Sequence, residues 1–126
     1  MQYLISFDLG TGGLKAGLYR QDCVSVGFEF VSYETCYPGP DMHEQRPEDW
    51  WQAVCKATKV LLKKSGIQSE NIVGVAASGH SLVAAPLDRE GQLLLENVPI
   101  WSDRRAKIQA QKFFSKVDYE KWYMTT

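Results

Sequence analysis

Tyr3-Leu4-Ile5-Ser6-Phe7-Asp8-Leu9-Gly10-Thr11-Gly12-Gly13-Leu14-Lys15-Ala16-Gly17-Leu18-Tyr19-Arg20 opens the chain. Tyr3 to Phe7 is a short, mostly apolar run and predicts a strand. Gly10 to Gly13 is a turn signal, and small and apolar residues resume from Leu14 to Arg20 as a second strand. Gln21-Asp22 fits a tight turn. Val24 to Tyr33 alternates loosely, is rich in Val, Phe and Tyr, and predicts a third strand. The chain therefore opens as an antiparallel meander, unlike the βαβ crossover that starts a Rossmann fold.

Further along, Pro38 to Pro47 holds three prolines and reads as a loop. A helix is predicted from Pro47, which suits the first helical position, with Glu48 and Asp49 in the first turn where the helix dipole favours anions. Trp50, Val54, Ala57 and Leu61 form its apolar stripe; Lys63 and Lys64 lie near its end, and Gly66 stops it. Arg46 is a poor N-cap. Trp50 and Trp51 both read as core residues of this helix. Ile72 to Ala77 predicts a strand, and Val83 to Leu87 another, closed by the turn Asp88-Arg89-Glu90-Gly91. Val98 to Trp101 is a short apolar segment. Ser102 or Asp103 can then cap a helix with the stripe Ala106, Ala110, Phe113 and Val117. Tyr119 to Thr126 begins a further element. Strands alternating with helices after the meander imply a layered α/β fold.

The 126 residues are 44% hydrophobic and 23% charged, an ordinary globular composition for one domain or part of a larger one. A net charge of −1, with basic residues scattered, gives no support for nucleic-acid or membrane-surface binding. Cys23, Cys36 and Cys55 have no C-x-x-C spacing, which fits reduced thiols in a cytoplasmic protein. The N-terminal residues do not form a signal peptide. No window has the length and apolarity of a membrane-spanning helix.

Four segments can carry chemistry. In Asp8 to Lys15, a carboxylate at a strand end precedes a glycine-rich turn. Glycines let backbone N–H groups approach a phosphate, Thr11 can donate a hydrogen bond, and Lys15 adds a point charge. Asp8 can hold Mg²⁺, directly or through water. A plain hairpin turn with an exposed Asp and a surface Lys fits the same residues, and the segment is not a Walker A sequence. His43-Glu44-Gln45-Arg46-Pro47 lacks the second histidine of H-E-x-x-H, so a metal site is disfavoured there. Ser78-Gly79-His80-Ser81 follows a strand end, where α/β folds bind ligands; it can hydrogen-bond a polyhydroxylated substrate or form a simple turn. In Trp101-Ser102-Asp103, Trp101 can stack on a sugar face and Asp103 accept from its hydroxyls, or the two serve as core residue and helix cap.

In this order the segments resemble the FGGY family of carbohydrate kinases. Asp8 to Lys15 resembles its D-x-G-T-x-x-x-K motif, Glu44 to Trp51 its E-Q-x-P-x-x-W-W, Gly74 to His80 its G-I-x-x-S-x-Q, and Pro99 to Arg105 its I-x-W-x-D-x-R. The resemblance implies a ribonuclease-H-like fold of the actin/hexokinase/Hsp70 superfamily. It also implies transfer of the γ-phosphoryl of Mg-ATP to a hydroxyl of a sugar or polyol. Asp8, Gly10, Thr11, Gly12, Gly13 and Lys15 would bind phosphate, with Asp8 organising Mg²⁺. His80, Ser81, Trp101 and Asp103 would hold the acceptor. The family's catalytic aspartate falls beyond Thr126, and the adenine pocket belongs to a second domain. Residues 1–126 are thus expected to be part of an N-terminal domain, inactive alone; a homodimer is allowed for the full-length protein. Ser81-Leu82 stands where glycerol kinases have Arg-Glu and xylulokinases usually Met-His, which disfavours glycerol and weakens xylulose. His80 replaces the common glutamine and adds a group that can titrate near neutral pH. A non-catalytic ATP-driven switch or scaffold of the actin/Hsp70 superfamily is the alternative, and a small independent binding domain a third reading.

Overall fold

The computed structural model describes residues 1–125. Strands β1 (Tyr3–Gly10), β2 (Gly13–Arg20) and β3 (Ser25–Ser32) form the expected meander. Thr11 and Gly12 make the first turn, with Gly10 opposite Gly13 and Asp8 opposite Lys15. Gly13 has φ 154°, and a Cβ there would come within 2.6 Å of the Val31 carbonyl and the Phe30 ring, so only glycine fits.

Helix α1 (Pro47–Ser65) follows the short strand β4 (Glu44–Gln45), which lies inside the predicted loop. Gly66 adopts the left-handed conformation at φ 70° and donates its N–H to the Leu62 carbonyl at 3.0 Å. Arg46 makes no side-chain cap, as its chemistry anticipates. After α1 the chain returns through a single 3-10 turn (Ser69–Asn71) to β5 (Ile72–Gly79). β5 pairs parallel to β1, which gives the order β3-β2-β1-β5. The crossover expected of an α/β fold is present, but it comes after the meander.

Alternation along the strands puts Ile5 and Phe7 on one sheet face with Leu14, Ala16 and Leu18 from β2. Ala53, Ala57 and Leu61 of α1 cover that face. Each large side chain buried there contributes roughly 1.5–3 kcal/mol. Asp8 and Lys15 fall on the opposite, open face. Trp50 packs partly buried against the core, but Trp51 is 60% exposed, contrary to the expectation that it is core. One position along a helix rotates a side chain by about 100°, enough to carry it off the buried stripe.

Two further expectations are corrected. Val83 to Leu87 forms no strand; among the described residues its ladder contact is an isolated bridge from Leu87 to Leu93. Pro86 lacks an N–H for a ladder, and the Asp88 carboxylate accepts from the Glu90 and Gln92 N–H groups, stabilising a local turn instead. The next helix, α2, spans Lys107–Phe114 with Ala106 at its N-cap. Neither Ser102 nor Asp103 caps it, because the Asp103 carboxylate is engaged by Arg105 and the His43 N–H. Val117 lies beyond its end. Helix α3 (Tyr119–Thr125) follows; Thr126, the last residue of that predicted element, lies outside the described residues. Strand β6 (Val98–Pro99) pairs antiparallel with β4. No helix among the described residues is long and apolar enough to cross a membrane.

Candidate functional site

The parallel register of β1 and β5 sets Asp8 beside Ser78 and Leu9 beside Gly79, while the β1–β2 hairpin sets Asp8 beside Lys15. Two of the chemically suggestive segments, distant in sequence, therefore end at one sheet edge. A cavity of about 380 Å³ opens there. Asp8, Leu9, Gly10 and Thr11 line it from the first hairpin, Ser78 to Ser81 from the end of β5, and Trp101 from the segment after β6. Of the expected residues, Asp8, Gly10, Thr11, His80, Ser81 and Trp101 meet around this space. Gly12, Gly13, Lys15 and Asp103 do not line it.

Lys15 lies beside the cavity, its Nζ donating to Asp8 Oδ2 at 3.2 Å. The two side chains are 68% and 50% exposed, so the pair stabilises the fold little. It leaves an accessible cation and an accessible carboxylate beside a glycine turn. A Cβ on Gly12 would meet no atom within 4 Å, so the turn has open space above it. An exposed carboxylate oxygen at a strand end suits a hydrated divalent cation. Among the described residues no group of three or more His, Cys, Asp or Glu forms a metal cage.

The turn itself is held from behind. Tyr33 donates its hydroxyl to the Gly10 carbonyl at 2.5 Å, and burial pushes its pKa up to about 12. Gln45, 1% exposed, donates Nε2–H to the Thr11 carbonyl at 2.7 Å. Trp101 Nε1–H donates to Thr11 Oγ1 at 2.9 Å, which leaves the Thr11 hydroxyl proton available to a ligand. Neither Tyr33 nor Gln45 was singled out from sequence. Gln45 sat in a recognisable motif, but its burial depends on β4, β6 and α1 closing around it.

His80 donates its backbone N–H to the Leu9 carbonyl at 3.1 Å, and its ring lies 5.0 Å from the Trp50 ring. Its Nε2 is buried with no hydrogen-bond partner among the described residues. Burial pushes the imidazole below its ordinary range and so favours its neutral form, opposed more weakly by Asp8. A second cavity of about 380 Å³ also touches His80 and is lined in part by Trp50, Val83 and Ala85. A larger space of about 500 Å³ lies between α1 and β5, but its lining is almost wholly apolar and offers nothing for phosphate or hydroxyl recognition.

Asp103 organises the wall that carries Trp101. Its carboxylate accepts from the His43 N–H at 2.8 Å and from Arg105 Nη2 at 2.7 Å, and the same Arg105 nitrogen reaches Glu44 at 2.6 Å. The Arg105 guanidinium holds the Asp103 carboxyl down to about 2. Because the folded value lies below the ordinary 3.8, this carboxylate stabilises the fold above about pH 4, and that contribution disappears as pH falls towards about 2. Asp103→Asn in the full-length protein should therefore lower the unfolding midpoint at pH 6, with the gap to wild type closing as pH drops below about 4. An undiminished gap at pH 3 would show that the carboxylate charge is not what holds this wall.

The model of the FGGY family of carbohydrate kinases, N-terminal domain, matches residues 3–126. The xylulose kinase of Bacillus subtilis is 32% identical over 118 residues, covering 92% of this chain and 23% of that protein. The xylulose kinase of Escherichia coli is 34% identical over 101 residues, covering 80% of this chain and 20% of that protein. A crystal structure described as a xyloylose kinase from Brucella ovis superposes with a TM-score of 0.83 at 28% identity, covering 89% of this chain and 23% of the other. The chain thus spans less than a quarter of the length of these relatives.

Proposed function

We propose, from the premise that this chain belongs to the FGGY family of carbohydrate kinases, that it is the N-terminal portion of an enzyme that phosphorylates a sugar or polyol with Mg-ATP. The observation that carries this reading is the meeting of Asp8, Thr11, Ser78 to Ser81 and Trp101 around one cavity, with Lys15 beside it. A phosphoryl donor and a hydroxyl acceptor need such neighbouring, chemically distinct surfaces.

Phosphoryl transfer asks a protein mainly to position the reactants and to neutralise charge. The Lys15 ammonium and the Thr11 hydroxyl are the donors offered to phosphate oxygens, and the open side of Gly12 lets the backbone come close. Asp8 is the residue that would hold Mg²⁺, which when bound neutralises charge on the phosphate oxygens. His80 and Ser81 offer hydrogen bonds to acceptor hydroxyls, and the Trp101 ring offers an apolar face for the sugar ring or chain. The base that accepts the hydroxyl proton is expected outside this chain. Ser81-Leu82 points away from glycerol and towards larger acceptors of the pentulose or polyol type.

The test is a coupled assay of ATP consumption by the full-length protein over pentuloses, polyols, aldonates and glycerol. Turnover with a pentulose or a longer polyol, and little with glycerol, is expected. No turnover with any acceptor would overturn the kinase reading. Efficient phosphorylation of glycerol would overturn the substrate class.

A further inference from the structure

We propose that Gln45 is a positioning residue that sets the Thr11 turn and, through Trp50, ties it to His80 on the acceptor side. The role assigned to the turn rests on the kinase reading above, but the coupling itself rests on geometry.

Gln45 does not line the cavity. Its side chain nevertheless uses both amide protons, one to the Thr11 carbonyl at 2.7 Å and one to Thr35 Oγ1 at 2.7 Å. Its Oε1 accepts from Trp50 Nε1–H at 3.0 Å. A buried primary amide so fully engaged is rigid, since releasing any partner leaves a buried polar group unpaired. Trp50 in turn lies against the His80 ring. The backbone of Gln45 pairs with Val98 in the two-stranded sheet, just before the segment that delivers Trp101 to the Thr11 hydroxyl. Carbonyl and hydroxyl of one turn residue are thus held from two directions by strands that are themselves paired.

This chemistry admits few substitutes. Glutamate can still accept from Trp50 but has no proton for the Thr11 carbonyl. Leucine can do neither. Trp50→Phe keeps a ring against His80 and leaves both Gln45 donors in place, losing only the link between them. The three variants therefore separate the phosphate side from the acceptor side.

The experiment uses the full-length protein with Gln45→Glu, Gln45→Leu and Trp50→Phe. Steady-state kinetics with the best acceptor should show kcat lowered on the order of 10- to 100-fold in both Gln45 variants, with little change in acceptor KM, because small displacements of a phosphate-holding turn are costly. Trp50→Phe should act the other way, mainly raising acceptor KM. Hydrogen exchange of the backbone amides of residues 8–15 supplies a readout that needs no turnover. In Gln45→Leu it should be faster by about tenfold or more, while β3 and the C-terminal half of α1 stay protected. Unchanged exchange in residues 8–15, or acceleration spread evenly over the sheet, would overturn the proposal, as would unchanged kcat in an active enzyme. If wild type turns over no acceptor, the kinase reading fails, and hydrogen exchange still decides whether Gln45 sets the turn.

Discussion

Lys15→Ala in the full-length protein is expected to lower kcat by on the order of 10²–10³-fold, the usual cost of removing one donor aimed at developing charge. Acceptor KM should stay within about threefold, because uniform binding of the sugar is not what the lysine supplies. Folding should be unaffected. The Lys15 side chain is 68% exposed and that of its partner Asp8 50% exposed, so the ion pair contributes at most about 1 kcal/mol. An unchanged unfolding midpoint beside a collapsed kcat is the signature of the phosphate role. If acceptor KM rises while kcat survives, Lys15 belongs to the sugar site and the assignment of the turn is wrong.

Gly79→Ala should be the most damaging small substitution at the site. Gly79 adopts φ 150° and lies in register with Leu9 of β1. A Cβ there would stand 2.7 Å from both the Leu9 Cβ and the Leu9 carbonyl oxygen. The backbone of Leu9 cannot give way without moving Asp8, the residue before it. Overpacking costs about 1–3 kcal/mol, and the unfavourable φ about 1–3 kcal/mol more. The full-length protein should therefore unfold at a clearly lower temperature and lose most of its kcat together. Gly12→Ala is the stability control: its Cβ has no neighbour within 4 Å, so unfolding should match wild type within about 0.5 kcal/mol. If Gly79→Ala unfolds like Gly12→Ala, the close approach of β1 and β5 is not a constraint in solution.

Much of the fold was legible because its signals are local. Glycines at 10, 12 and 13 between two apolar runs can do little but turn the chain, and Pro47, the acidic first turn and Gly66 bracket α1 by chemistry that acts within a few residues. The failures are equally physical. Asp103 looks like an N-cap, but an Arg two residues on and the backbone of His43 outcompete the helix for its oxygens. Val83 to Leu87 has the composition of a strand, yet composition supplies no neighbouring strand edge. Trp51 matches Trp50 in every local respect and differs only in the direction α1 gives it.

The candidate site divides along the same line. By itself the sequence determined the glycine turn, the family resemblance and the polar and aromatic residue types near the strand ends, because these depend on identity and spacing over short stretches. Only the tertiary structure decided which residues meet. It brought Ser78 to Ser81 beside Asp8 through a parallel pairing of residues about 70 positions apart, and it swung Trp101 onto Thr11. It also tied Asp103 to Arg105 and the His43 N–H in the wall that carries Trp101, and buried Gln45 behind the turn. Hydrogen bonds between distant segments form only once the packed chain has brought them together, and packing is a property of the whole chain rather than of any stretch of it.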